Sequence, residues 1–289
     1  MTWQRIARDG LVLMGIIAAA VYWVYLTQTG GSPVDVHAFW VADPESLYVH
    51  PDLAKDGYYY SPAFEFVVGW WRFVPFEVYV AIWRAILLGI LVYLAGPFTL
   101  LVLFTVPVAS EINAGNIQLM LALAVVLGFR WPATWAFVVL TKLTPGVGLL
   151  WFAVRREWRS FGIAAGLTVA IVALSFALAP WMWRDYVGAL AGAPDETPFK
   201  IWWRLPIAAL VVIWGARSNH RWAMIVAVFL AMPRWYFLSP VVLVGLFPLV
   251  RFPRPLPFPR FLQRLIGTRG DQTAAASTSA GRSERAPSS

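Results

Sequence analysis

Asp35 follows the turn-forming run Gly30-Gly31-Ser32-Pro33, and Val36, Ala38, Phe39 and Trp40 then return the chain to apolar surface. A carboxylate held between water and lipid has little solvent around it and a raised affinity for protons, which suits a general base acting on a hydroxyl. Capping a helix that starts near Val36 accounts for the same position. His37 stands two residues on, and the other histidines are His50 and His220, so hydrogen bonding at the interface is expected of it rather than metal ligation. Lys142 sits in the middle of the apolar stretch Ala136–Leu149. An ammonium at that depth costs a few kcal/mol unless an anion accompanies it, and Glu111 or a ligand phosphate is the expected partner. Between these groups, Gly115 permits close backbone approach, and Asn116 and Gln118 open an apolar segment where each can hydrogen-bond a ligand or a neighbouring helix.

Basic groups alternate with aromatic ones further along, in Trp183-Arg184-Asp185-Tyr186, in Lys200-Ile-Trp-Trp-Arg204 and around Arg234. Such clusters can grip a phosphate and stack on a sugar, or form an aromatic belt at the membrane interface. GxGxxG, GxxxxGK[ST], HExxH and GxSxG are all absent, so phosphate-loop and zinc chemistry are not expected. No metal site and no cofactor is expected. With no cysteine, the chain has no disulfides, thiolate ligands or thiol nucleophiles.

The elements that must position these residues are membrane helices. Of 289 residues, 60% are hydrophobic and 13% charged, against roughly 25% charged in soluble domains. That composition excludes a soluble enzyme or a disordered chain. The net charge of +8 is read as positive-inside loops, not as affinity for nucleic acid. Apolar segments at 10–26, 62–71, 78–94, 98–109, 117–129, 132–154, 161–179, 206–215, 222–231 and 236–250 predict an all-α polytopic membrane protein of about ten transmembrane or re-entrant helices. Basic clusters at Arg155–Arg159, Arg217–Arg221 and Arg251–Arg260 fall where an even count from a cytoplasmic N-terminus puts them inside. Both termini are therefore expected in the cytoplasm of a multi-pass plasma-membrane protein, with residues 28–61 and 181–204 as the two main outer loops. Residues 1–250 read as one transmembrane domain. Residues 251–289, with Pro253, Pro255, Pro257 and Pro259 followed by Ser, Thr, Ala and Arg, read as a disordered basic cytoplasmic tail.

The chain resembles glycosyltransferase family 87, polytopic membrane mannosyltransferases of the GT-C superfamily that use polyprenyl-phosphate-linked sugars as donors. Gly31-Ser-Pro-Val-Asp35-Val-His-Ala-Phe39-Trp40 is similar to the family's Gly-x-Asp-Phe-x-x-Tyr-Tyr. Tyr60-Ser61-Pro62-Ala63-Phe64 is similar to its Tyr-Pro-Pro-Leu-Phe, with Ser61 in place of one proline. Gly115-Asn116-Ile117-Gln118 stands where the family has Gly-Gln-x-Asn, and Lys142-Leu-Thr-Pro145 with Arg155-Arg156-Glu157-Trp158-Arg159 is similar to its Lys-x-Thr-Pro and Arg-Arg-x-Trp-Arg. These elements cover about residues 10–180.

The resemblance implies a GT-C-like helical bundle and a hexosyltransferase, with Asp35 as catalytic base and His37, Tyr60, Asn116, Gln118, Lys142, Arg184, Lys200, Arg204 and Arg234 around the substrates. It further implies inverting transfer of a hexose, mannose by the family's habit, from a polyprenyl-phosphate donor to a lipid or glycan acceptor at the extracytoplasmic face. A member of the same fold that binds polyprenyl phosphate without transferring sugar is the alternative. A transporter would need more deep polar residues than Lys142 and Glu111.

Overall fold

The computed structural model describes residues 3–48, 57–69, 73–192 and 200–250. Among them the secondary structure is helical throughout, with no strand. The chain is a helical membrane protein. Helix α1 spans Trp3–Thr29, α2 Val34–Trp40, α3 Pro62–Val68 and α4 Phe76–Ala95. A 3-10 turn at Gly96–Phe98 joins α4 to α5 (Thr99–Leu103), and α6 (Val106–Ala114) and α7 (Gln118–Gly128) follow. Then come α8 (Trp135–Thr141), a 3-10 segment Thr144–Leu149, α9 (Leu150–Val154), α10 (Trp158–Leu178) and α11 (Pro180–Gly192). The described chain ends with α12 (Ile201–Ser218), α13 (Ala223–Leu230), a 3-10 segment Ser239–Gly245 and α14 (Leu246–Leu249).

Three of these stretches are long and apolar enough to cross a membrane, namely Ile6–Thr29, Phe76–Leu103 and Trp158–Leu178. Their 24, 28 and 21 residues correspond to roughly 32–42 Å of helix at about 1.5 Å per residue, against a hydrocarbon core of about 30 Å. The pair α6 and α7, bent by 102°, counts as a fourth if it is one broken span. The ten segments are expected as transmembrane or re-entrant helices, and among the described residues Pro132–Thr141, Thr144–Val154 and Ser239–Leu249 are further apolar helices shorter than a full span.

Where sequence and structure differ, proline and local capping explain it. The segments expected at 78–94 and 98–109 run together to Leu103, because Gly96-Pro97 only tightens one turn; the break comes at Thr105, which is extended ahead of Pro107. The segment expected at 132–154 is instead broken at Lys142, whose backbone is extended (φ −144°, ψ 107°). Pro145 disfavours helix in the residue before it and cannot donate a helical hydrogen bond. The second outer loop, expected at 181–204, is largely helix: α11 carries Trp183–Tyr186, and α12 has begun before Arg204. Residues 49–56 and 193–199, with His50, Asp52, Asp56, Asp195 and Glu196, and the expected tail 251–289 lie outside the described residues.

The core runs through α4, α7, α8, α12 and α13, where Leu87, Leu91, Leu119, Leu121, Val138 and Val228 have no measurable exposure. Helices α1 and α10 instead turn Leu13, Ile17, Val21, Val169, Leu174 and Phe176 outward. In lipid such faces carry no penalty.

Candidate active site

Asp35 lies in the first turn of α2, which the buried Val36 and Phe39 anchor. Phe39 packs on Trp83, Tyr60 and Phe64 at ring-centroid distances of 5.4, 5.4 and 5.6 Å. The helix-capping alternative fails on geometry: Pro33 is the residue at the N-cap, and no side chain caps the helix. The Asp35 carboxylate Oδ2 instead accepts a hydrogen bond of 3.0 Å from Asn116 Nδ2.

Two glycine motifs are fitted to each other around that bond. The chain leaves α1 through Gly31 at φ +59°, and a buried Arg84 guanidinium pins the turn by donating to the carbonyls of Leu26 (3.2 Å), Gly30 (3.1 Å) and Asn113 (2.8 Å). Asn113 Oδ1 accepts from Ser32 N–H at 2.9 Å. On the other side Gly115 ends α6 at φ +78°, its carbonyl bound by Trp83 Nε1 at 2.7 Å. A Cβ on Gly115 would overlap the Val36 side chain. Gly115→Ala therefore combines about 1–3 kcal/mol of backbone strain with a clash against α2. Thermal unfolding in detergent should show a lowered midpoint, and an unchanged one would refute the fit.

The bend between α6 and α7 presents Asn116 and Gln118. No side chain of the N-cap residue, Ile117, caps α7; the buried Glu111 does so from α6, its Oε1 accepting from Leu119 N–H at 3.2 Å. Asn116 Oδ1 accepts from Ile117 N–H at 2.7 Å, which fixes the orientation of the amide and points its NH2 group at Asp35. Gln118 Nε2 donates at 3.1 Å to the phenol oxygen of Tyr236.

Lys142 caps the C-terminus of α8, and its ammonium lies 5.7 Å from the Tyr236 ring centroid. Asp35 and Glu111 are the carboxylates whose charge it feels, but no carboxylate of the described residues lies within 4.0 Å of it. The expected direct pair with Glu111 is not formed, because that carboxylate is turned to the first turn of α7. Burial pushes the Asp35 carboxyl above the usual range, while the Asn116 hydrogen bond and the Lys142 charge pull it down.

The other expected residues separate. Tyr60 packs between Phe39 and Phe64 and is within electrostatic reach of Asp35, Glu111 and Tyr236. His37 faces Phe76 edge-on at 5.2 Å. Arg184 is exposed on α11 with Asp185 at 3.4 Å, and Lys200 precedes α12. Arg204 is 3% exposed and donates to the carbonyls of Leu230 (3.0 Å), Met232 (2.7 Å) and Pro233 (3.2 Å), so its guanidinium organises a turn of the chain. Arg234 lies over the Tyr59 ring at 4.9 Å. Arg155, in the basic pair, bonds Glu157 at 2.7 Å and the Ala216 carbonyl at 3.1 Å. Among the described residues no group of three His, Asp or Glu side chains is placed to hold a metal ion.

Tyr236, Arg84 and Asn113 are the participants that sequence reasoning missed. Chemically, the cluster offers a carboxylate with one oxygen held and the other free, beside an ammonium and a phenol. It can take a proton from a hydroxyl and stabilise an anion.

A polytopic helical membrane protein with a partly buried carboxylate within electrostatic reach of an ammonium is the class that fold and site together define. The sequence profile of glycosyltransferase family 87 matches residues 58–268, and the chain belongs to that family. The match extends well beyond residue 180, where the resembling motifs end, and takes in Tyr236; it starts after Asp35. Over 249 residues the chain is 27% identical to a polyprenol-phosphate-mannose-dependent alpha-(1-2)-phosphatidylinositol pentamannoside mannosyltransferase of Mycolicibacterium smegmatis. That alignment covers 72% of this chain and 59% of the relative. No solved structure matches.

Proposed function

We propose that the protein is a membrane hexosyltransferase that moves mannose from a polyprenyl-phosphate donor to a lipid or glycan acceptor, with inversion, at the extracytoplasmic face of the plasma membrane. The observation that carries this reading is the Asp35–Asn116 hydrogen bond, which joins two separated motifs, with the Lys142 charge of a third within electrostatic reach of the carboxylate. Family membership and the mannosyltransferase relative support the donor class.

In the reaction, the free oxygen of Asp35 takes the proton of an acceptor hydroxyl. That hydroxyl oxygen forms a bond to the anomeric carbon on the face opposite the phosphate. The bond from that carbon to the phosphate oxygen breaks, and its electron pair stays on the phosphate. Phosphate leaves as an anion and needs no proton, so one base and cationic stabilisation are sufficient. Lys142 supplies the cation nearest the base, and Arg234, Arg184 and Lys200 are outlying candidates. Arg204 is assigned to positioning. The test is transfer of labelled mannose from polyprenyl-phosphate mannose in membranes containing the protein. No more transfer than in control membranes, with verified donor and an acceptor panel, would refute the reading.

The same reading makes residues 1–250 the membrane domain, residues 28–61 an outer segment, and both termini and the basic 251–289 tail cytoplasmic. Because the chain has no cysteine of its own, accessibility labelling is clean. Asp43→Cys should label from outside and Arg217→Cys from the cytoplasm. Labelling of both from one side would overturn the topology.

A further inference from the structure

Tyr236 is the polar group of the site that neither the glycine motifs nor the apolar segmentation singled out, and its surroundings hold it unusually firmly. The turn that carries it, between α13 and the 3-10 segment at Ser239, has its carbonyls at 230, 232 and 233 bound by the buried Arg204 guanidinium. The next residue back, Trp235, is stacked on Phe229 at 4.9 Å, lies beneath Arg204 at 4.7 Å, and donates from Nε1 to the Phe229 carbonyl at 2.9 Å. Tyr236 N–H donates to Ser239 Oγ at 3.1 Å. A buried cation and a stacked indole thus fix one backbone turn, and what that turn delivers is a phenol.

The phenol oxygen accepts from Gln118 Nε2 at 3.1 Å and has the Asn116 side chain as a second hydrogen-bonding neighbour, and among the described residues the hydroxyl hydrogen has no acceptor. Tyr236 is 37% exposed, and the Lys142 ammonium stands 5.7 Å from the ring centroid. An ammonium and a phenol O–H are therefore neighbours within electrostatic reach of Asp35, with the Asn116 amide facing both the carboxylate and the phenol. Asp35 and Glu111 are the charged groups of opposite sign within electrostatic reach; neither touches the phenol.

The geometry points to Tyr236 as a catalytic residue that donates a hydrogen bond to the departing phosphate of the lipid donor, acting with Lys142 as an anion hole. This rests on the transfer reading above. No proton is transferred from the phenol: as the bond between anomeric carbon and phosphate oxygen breaks, that oxygen gains the electron pair, and the O–H and N–H donors solvate the growing charge. Donors fixed in advance, as this turn fixes the phenol, serve that purpose better than mobile ones because nothing has to reorganise when the charge appears.

The experiment compares wild type, Tyr236→Phe and Asp35→Asn in detergent, measuring affinity for farnesyl phosphate, for farnesol and for inorganic phosphate, alongside mannosyl transfer. Phe keeps the ring and its packing and removes one oxygen. Tyr236→Phe should weaken farnesyl phosphate binding about tenfold or more, leave farnesol binding and the unfolding temperature unchanged, and lower kcat by at least as much, the range expected for a hydrogen bond to a charged group. Asp35→Asn should keep farnesyl phosphate binding while losing transfer. Inorganic phosphate binding that also depends on the phenol would define a free-phosphate site without need of the lipid, and still supports the anion hole. Wild-type farnesyl phosphate affinity in Tyr236→Phe would overturn the assignment whatever the rate, and so would an equal loss for farnesol. Phenol-dependent binding in a wild-type protein that transfers no mannose would sink the transfer reading and leave the anion hole standing.

Discussion

Asp35→Asn should abolish transfer, by at least the roughly 10²-fold associated with a lost general base, while leaving the fold intact. The reason lies in the single hydrogen bond that holds the carboxylate. Asn has the same shape and can accept from Asn116 Nδ2 through its own Oδ1, so the contact between α2 and the α6–α7 bend survives. What disappears is the ability to hold a proton near neutral pH. Asp35→Glu keeps the acid but shifts it by a methylene and should retain partial activity. The pH profile gives an independent reading. The base works when ionised, so the rate should fall as pH drops through the Asp35 pKa and level off above it. Burial raises that pKa, and the Asn116 hydrogen bond lowers it. Asn116→Leu should accordingly move the acidic limb to higher pH. A near wild-type rate in Asp35→Asn would transfer the role to Asp43 or Glu45, of which Asp43 already accepts from Glu45 N–H at 3.1 Å and from Ser46 at 3.3 Å.

Lys142→Met should separate activity from stability. Among the described residues no carboxylate contacts the ammonium, so the apolar replacement removes a poorly compensated charge and should leave the protein as stable as before or more so. Transfer should nevertheless fall by about 10²–10³, the scale seen when a preorganised stabiliser of a developing anion is removed. The acidic limb should again move up, because the cation favours ionised Asp35. Arg282→Met, in the C-terminal segment, serves as the comparison. Equal tolerance of the two substitutions would remove Lys142 from the chemistry.

Asp35, Asn116, Gln118 and Lys142 were legible in the sequence for one physical reason: each is a polar group in a stretch where lipid penalises polarity, so its presence there already demands an explanation. Gly31 and Gly115 were legible as well, but not the fact that they answer to each other across 84 residues. The supporting groups were hidden by distance along the chain. Arg84 reaches Asn113, Ser32 reaches Asn113, and Gln118 reaches Tyr236 across 29, 81 and 118 residues. Tyr236 had the further disadvantage of standing among 10 tyrosines and 17 tryptophans, where an aromatic at a membrane interface is unremarked. Arg204 misled for the opposite reason. Its flanking tryptophans suggested a phosphate grip, whereas Trp202 and Trp203 point outward and the guanidinium points in. Helix existence was largely readable from the apolar runs. Helix breaks were not, because Pro97 is absorbed in one tight turn while Pro145 ends a helix, and nothing in composition tells the two apart.

The proposed site takes one group from near the start of the chain and another from near the end of the described residues, Asp35 and Tyr236, which are 236 − 35 = 201 positions apart. At a synthesis rate of about 5–20 residues per second, roughly 10–40 s pass between the emergence of the first and of the second. Throughout that interval the nascent chain holds an acid and, later, the ammonium of Lys142 with the phenol still unmade. On the proposed assignment, biosynthesis delivers a half-built site to the membrane and finishes it only when the turn after α13 is laid down, so any truncation upstream of residue 236 leaves Asp35 without the phenol that completes its surroundings.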